Sequence, residues 1–464
     1  MGRAPFARRT RVVFILVAFP TAFLLCASPR AESLEDPSPE KVDAIFSEWD
    51  KPRSPGCALG VIRKSRFIYQ KGYGMANLDW DIPITPSTVF YVGSVSKQFT
   101  AAGILLLARE GKLSLDDDIR KYLPEMPAYE APVTVRHLVH HTSGVRDIYA
   151  VMDLAGLRVA DVFSDEDALT LLAGQRSLNF KPGDEYLYSN GGYFLLSEIV
   201  ERSSGKSFSE YTRQEVFGPL GMKDSHFHND ASHIVKRRAL SYAPDGAGGF
   251  EQNYLGNFNK VGPGGLYTTV DDLLPWDENF YENRIGGDGF TDALLTRGVL
   301  NNGEELDYAF GIRDTEYQGL RVISHSGGMM GFRADVMRFP EERFSVMCLC
   351  NLGNIVPGEL TRKVANLYLA DRFRGGLEEY AGSYRSDDLQ VTYDIVFRDG
   401  ALHVDRPTAP DGSLAPAGED RFRVYRSWIL EFVRDGGSRI SGFTVNMGRA
   451  KGVQFVREAP TGGE

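Results

Sequence analysis

Gly93-Ser94-Val95-Ser96-Lys97-Gln98-Phe99, which leads into the apolar run Phe99 to Ala108, decides how this chain reads, because it sets a hydroxyl and an amine three residues apart at the start of a helix. Residues at that spacing share a helix face, so the Lys97 amine can reach the Ser94 oxygen. A serine hydroxyl is a weak nucleophile at neutral pH until a base takes its proton, and a lysine surrounded by apolar residues can be shifted toward that role. Ser-x-x-Lys alone is common and carries little weight. Two further polar motifs follow it in order: Tyr188-Ser189-Asn190 before the helix-like run Tyr193 to Val200, and His325-Ser326-Gly327-Gly328 ahead of the strand-like Arg333 to Phe339.

Together with Gly72-Tyr73-Gly74, Gly111-Lys112-Leu113, Val135 to Gly144 (VRHLVHHTSG), Lys181-Pro182-Gly183, Pro219-Leu220-Gly221-Met222 and Gly264-Gly265-Leu266, these motifs resemble the serine β-lactamase and penicillin-binding protein superfamily from Pro52 to Leu369. The likeness is greatest to its class C-like branch of esterases and D-amino-acid peptidases, which carries Tyr-x-Asn and His-x-Gly where other members have Ser-x-Asn and Lys-Thr-Gly. The resemblance implies an α/β fold in which an antiparallel sheet is flanked by helices and encloses a helical insertion. It implies Ser94 as nucleophile, Lys97 and Tyr188 as sharers of the base role, and Asn190 as the group that orients Lys97 and the substrate amide. It puts the oxyanion hole at the backbone N–H groups of Ser94 and Gly328, with Gly327-Gly328 allowing close backbone approach. His325, Ser326, Gly327 and Arg333 are then the candidate substrate-binding residues.

His325 departs from the lactamase pattern. Where lactamases and penicillin-binding proteins hold a lysine that attracts the substrate carboxylate, this chain has a group mostly neutral at pH 7, with Arg333 as a nearby cation. No counterpart of the deacylating glutamate of class A lactamases is found. The expected activity is therefore hydrolysis of small esters or amides, including short peptides with a D-residue, through a covalent acyl-enzyme. The alternatives are a β-lactamase or DD-carboxypeptidase-type penicillin-binding protein, and a catalytically silent protein that binds penicillin or a partner. Joint presence of Ser94, Lys97, Tyr188 and Asn190 argues against the silent reading.

The chain has 464 residues, enough for two folded units, and 42% hydrophobic residues, a globular value. Arg3, Arg8, Arg9 and Arg11 precede an apolar run from Val12 to Leu25, with small residues at Ala27, Ser28 and Ala31. This is the build of a signal peptide over residues 1–31, and implies a periplasmic or secreted protein. An uncleaved anchor, the only membrane contact envisaged, is the alternative, although the run is short for a span. Loss of the leader's five arginines takes the net charge from −10 to −15. An acidic chain without a basic patch is a poor nucleic-acid binder. The oligomeric state is not legible.

Beyond the leader only Cys57, Cys348 and Cys350 remain, which is not a disulfide framework and reads as buried core thiols. A bridge from Cys57 to one of the others requires the first and last strands of the sheet to be neighbours. No metal site is read from His137 and His141, nor from His226, His228 and His233, and no cofactor is implied. A helix is expected over Leu34 to Asp50, and strands at Cys57 to Ile62, Phe67 to Gly74, Tyr308 to Arg313, Gly319 to Ser324, Arg333 to Phe339 and Phe344 to Cys350, so the hydrolase domain spans residues 35–372. From 376 to 464 the pattern changes to short alternating segments at Thr392 to Arg398, Ala401 to Val404, Phe422 to Tyr425, Trp428 to Arg434 and Phe443 to Val445. These read as an antiparallel barrel or meander, resembling the lipocalin-like domain appended to some superfamily members.

Overall fold

Strands drawn from both ends of the hydrolase region meet in one antiparallel sheet. In the computed structural model, which describes residues 1–2 and 36–458 apart from 159–162, 231, 254–259, 371, 374–376, 399–400, 419, 426–427 and 437–438, these strands are β1 (Cys57–Arg63), β2 (Phe67–Tyr73), β3 (Arg313–Tyr317), β4 (Leu320–Met329), β5 (Phe332–Phe339) and β6 (Phe344–Cys350). Their order is β3-β4-β5-β6-β1-β2. The central strands β1 and β6 are nearly continuous apolar runs buried on both faces, as strands covered on two sides must be. Pro37 to Glu464 forms one compact unit. The expected leader lies, from residue 3 onward, outside the described residues.

One face of the sheet carries α1 (Pro39–Phe46) and a C-terminal helix, Pro357–Tyr368, whose Leu360, Val364 and Ala365 pack with Val42, Phe46 and Val346. The other face carries the helical body, including α2 (Lys97–Arg109), α3 (Asn190–Ser204) and α4 (Val270–Glu282). α2 is apolar almost all round and is buried from Lys97 to Leu107, which makes it the central post of that body.

Three local expectations change. β3 begins at Arg313 rather than ending there, and Tyr308 meets Arg313 only in an isolated bridge. β4 does not stop at Ser324 but runs on through His325 to Gly328, which still precede the strand holding Arg333 to Phe339. β1 is paired with β6 in a register that sets Cys57 opposite Cys350, and the two form a disulfide while Cys348 stays a buried thiol. The reading of three free core cysteines is thereby corrected, because the neighbouring-strand condition is met.

The C-terminal strands Gly382–Ser386, Val391–Arg398, Ala401–Arg406, Ala409–Gly418, Arg421–Val424, Trp428–Arg434, Ile440–Met447 and Ala450–Arg457 form a closed barrel. Pairing of Tyr384 with Arg457 joins the first strand to the last, which decides barrel over meander. Its core is aromatic, with Tyr384, Phe432, Phe443 and Phe455 buried together. The strand Ala409–Gly418 runs beside β3.

Candidate active site

The chain leaves the two-residue strand Phe90–Tyr91 through a short 3-10 turn, Gly93–Ser96, and enters α2 at Lys97. Gly93 has φ +54°, and a Cβ there would lie 2.4 Å from the Gly328 nitrogen. A Cβ on Gly327 would lie 2.0 Å from the Val92 carbonyl oxygen and 2.8 Å from the Ser94 nitrogen. Only glycine on both sides permits this approach, which sets the backbones of Ser94 and Gly328 against each other. β3 pairs with β4 only from Leu320 to Ser324, so among the described residues His325 to Met329 has no strand on that edge. The Ser94 turn packs over the face of this segment, where a Gly327 Cβ would meet it, and leaves the edge open.

Lys97 is fully buried, with Nζ 3.1 Å from Ser94 Oγ, 2.8 Å from Asn190 Oδ1 and 2.8 Å from the Pro263 carbonyl oxygen. Burial holds this amine well below the ordinary lysine range, against the opposing field of Asp147. A neutral amine has two N–H donors and one lone pair. The two carbonyl oxygens can only accept, so they take the donors and leave the lone pair facing the Ser94 hydroxyl. Tyr188 is the opposite case: burial raises its phenol well above the usual range, and a hydrogen bond with Ser94 works against that shift. Lys97 Nζ lies 4.7 Å from the Tyr188 ring centroid.

Asn190 opens α3, where Ser189 caps the helix by accepting from the Gly192 N–H. Its orientation is set by Asp147, which was not singled out from sequence. Asp147 Oδ2 accepts from the Asn190 backbone N–H at 2.7 Å and from Nδ2 at 2.8 Å, while Oδ1 accepts from Tyr149 and Ala150 and caps the helix Ile148–Leu154. A carboxylate only accepts, so the Asn190 amide must turn its oxygen to Lys97. Asp147→Ala is expected to lower kcat by roughly 10–100-fold, the worth of about 1.5–3 kcal/mol for a charged hydrogen bond. Steady-state kinetics, with KM moving much less than kcat, would check this.

A second group missed from sequence links the last two motifs. The Ser189 N–H donates to His141 Nδ1 (3.1 Å), His141 Nε2 lies 3.2 Å from the Tyr308 hydroxyl, that hydroxyl lies 3.2 Å from His325 Nε2, and His325 Nδ1 lies 2.6 Å from the Ser326 carbonyl oxygen. The backbone groups at the two ends order the protons between them: Nδ1 of His141 must accept, so its Nε2 donates to Tyr308, which donates to His325, whose Nδ1 donates to Ser326. All three side chains are buried. Burial and the nearby Lys97 bring His325 down to about 3, so the third motif presents a neutral imidazole. Tyr308→Phe leaves His325 Nε2 without its donor, at an expected cost of about 1–3 kcal/mol, to be read by urea denaturation. His137 is separate from this network: its Nδ1 accepts from the Thr134 N–H in a capping box.

The structure brings Ser94, Lys97, Tyr188, Asn190, His325, Gly327 and Gly328 together, but not Arg333. Arg333 stands opposite Gly328 in the sheet register and spends Nη1 on the Met330 and Phe332 carbonyls, both at 2.7 Å. Ser326 shares that strand face, turned away from His325 by the alternation of the strand. Besides Lys97, which acts on both histidines, the field of Arg313 reaches Tyr188, His325 and His141; Arg313 is exposed and 6.0 Å from the Tyr308 ring centroid.

The chain belongs to the Beta-lactamase family, which it matches over residues 42–370. It is 32% identical over 304 residues to a D-aminopeptidase of Gluconobacter oxydans (strain 621H), an alignment that covers 64% of this chain and 56% of that protein's length. It is 25% identical over 507 residues to a D-aminopeptidase of Brucella canis (strain ATCC 23365 / NCTC 10854 / RM-666), covering 87% of this chain and 96% of that one. In structure it resembles the octameric penicillin-binding protein homologue from Pyrococcus abyssi, with a TM-score of 0.64, 24% identity, and coverage of 90% of this chain and 99% of that chain.

Proposed function

We propose that this chain is a serine hydrolase that cleaves small amides and esters, short D-residue peptides foremost, through an acyl-enzyme on Ser94. The observation that carries this reading is the fully buried Lys97 amine, 3.1 Å from Ser94 Oγ, whose other two contacts are the carbonyl oxygens of Asn190 and Pro263. Ser94 Oγ attacks the substrate carbonyl and its proton passes to Lys97 Nζ, while the oxyanion takes the N–H groups of Ser94 and Gly328. The leaving amine or alkoxide receives its proton through Tyr188, which is replenished from Lys97. Water then enters, gives a proton to the Tyr188–Lys97 pair and its oxygen to the acyl carbon, and Ser94 leaves reprotonated. The free edge of β4 from His325 to Met329 supports a peptide substrate, since an extended chain can pair with it.

The similarity to two D-aminopeptidases favours D-residue substrates. A neutral His325 and an outward-turned Arg333 disfavour efficient capture of anionic β-lactams. A periplasmic or secreted location is part of this reading. It is supported by the composition of residues 1–31 and by the Cys57–Cys350 disulfide, a bond that persists in oxidising compartments. Among the described residues, no helix is long and apolar enough to cross a membrane.

The test is turnover of a D-alanine p-nitroanilide, its L-isomer, a short-chain p-nitrophenyl ester and a chromogenic cephalosporin, with Ser94→Ala as the blank. The expected result is Ser94-dependent cleavage of the D-amide or the ester with the cephalosporin slow. Fast cephalosporin hydrolysis would favour a lactamase, and no Ser94-dependent turnover would favour a silent binding protein.

A further inference from the structure

We propose that His226, His228 and His233 form a binding site for a divalent transition metal ion, zinc being the probe of choice, remote in sequence from the catalytic motifs. The strand His226–Phe227 pairs with Leu266 and Tyr267, and the His228 N–H extends the pairing to the Gly265 carbonyl. His226 and His228 flank Phe227 and therefore project to one side. The loop returns when the His233 N–H donates to the Asp230 carbonyl, and the three rings then face one another, with centroids 5.5 Å (His226 to His228), 5.4 Å (His226 to His233) and 6.1 Å (His228 to His233) apart. Two imidazoles on one tetrahedral zinc, each with Zn–N of about 2.0–2.1 Å, hold their centroids roughly 5–5.5 Å apart.

The second observation is a pair of orphaned atoms. His226 Nε2 and His228 Nδ1 are both buried and have no hydrogen-bond partner. The other nitrogen of His226 is directed at the Asp224 backbone carbonyl, the arrangement by which a ligating histidine is held in the right tautomer with its lone pair free. Buried polar atoms without partners are rare in folded proteins, and a metal ion satisfies two of them here. Tyr267 walls the site: its ring stacks with His226 at 5.8 Å and meets His228 edge-on at 5.1 Å. The cluster opens onto a cleft of about 780 Å³ that Asp224 and Asp230 also line.

Charge and ring orientation set the remaining conditions. Arg238 places positive potential at the site, and Asp224 and Asp230 offset it. The nitrogens of the three rings do not yet converge within ligand distance. Turning a ring about its broad, two-fold χ2 exchanges nitrogen and carbon positions, and His233 is exposed. Bound there, the ion would pin the loop after His226 to the small sheet whose far strand, Phe90–Tyr91, feeds the Ser94 turn.

The experiment is titration of zinc into the chelator-stripped protein by calorimetry, with thermal melting alongside. One zinc per chain is expected, with a higher melting temperature on binding. His233→Ala, a change at an exposed position, and His226→Ala are each expected to weaken binding about tenfold or more and to remove the zinc-dependent rise in melting temperature. Cys348→Ser, which alters the cluster of Cys57, Cys348 and Cys350 found among the described residues, is expected to leave binding unchanged. Absence of stoichiometric binding, binding that survives both histidine changes, or binding lost in Cys348→Ser would each overturn the proposal.

Discussion

Lys97→Met is expected to lower kcat/KM by on the order of 10⁴-fold, the upper range of what a positioned general base supplies. The variant removes the amine and keeps an unbranched apolar side chain of similar reach at the first position of α2. The acidic limb of the wild-type pH–rate profile should lie well below the ordinary lysine value of about 10.4, because burial favours the free base, and activity should rise as pH climbs through that lowered value. The same shift governs stability. With a folded pKa below the unfolded one, the unfolded chain binds a proton that the folded chain does not, so stability rises with pH through the window from the lowered value up to the unfolded value. The stability of the wild type relative to Lys97→Met should therefore improve between pH 7 and pH 10. A gap that stays constant over that range in thermal melts would show that Lys97 is carried as an ammonium.

Gly327→Ala is expected to cost about a hundredfold to a thousandfold in kcat, the loss that follows removal of one oxyanion donor. Its Cβ would strike the Val92 carbonyl oxygen at 2.0 Å and crowd the Ser94 nitrogen, both backbone atoms that cannot rotate away. The strand must shift, and the Ser94 and Gly328 amides then part. Gly328→Ala is the matched control, because its Cβ would come nearest the flexible Arg333 side chain, at 3.3 Å, with the Phe332 carbonyl oxygen in ordinary contact at 3.5 Å. Burst kinetics with an activated ester would separate slowed acylation from slowed release. A Gly327→Ala enzyme with the wild-type burst rate would show that the two amides do not depend on this approach.

Ser94, Lys97, Tyr188 and Asn190 were legible because each lies in a short motif next to an apolar helical run, and helix geometry converts such spacing directly into side-chain proximity. Asp147, His141 and Tyr308 were not. Asp147 follows the landmark Gly144 closely enough to have drawn notice, but its partner Asn190 is 43 residues away. In sequence His141 suggests at most a metal ligand beside His137, and Tyr308 reads as part of a strand it does not enter, although it meets His141 across 167 residues. Arg333 was chosen for nearness in sequence to the third motif; strand alternation and two backbone carbonyls turn it elsewhere, and Arg313 supplies the field instead. In the barrel, Ala409–Gly418 (APDGSLAPAG) has neither alternation nor β-branched residues, so pairing with its neighbours makes it a strand where local preference does not.

By itself the sequence determined that Ser94 and Lys97 share one helical turn, the second and third motifs, the change of pattern after Leu369 and the apolar strands at both ends of the hydrolase region. These are local properties, written in periodicity and spacing over a few residues. Only the tertiary structure decided that β1 lies against β6 and so joins Cys57 to Cys350, that the barrel closes through Tyr384 and Arg457, that β3 stops short and frees the edge beside Ser94, and that a chain of neutral groups runs from Ser189 to Ser326. Each depends on contacts between segments far apart in the chain, whose register is set by packing over the whole sheet and leaves no mark in the residues nearby.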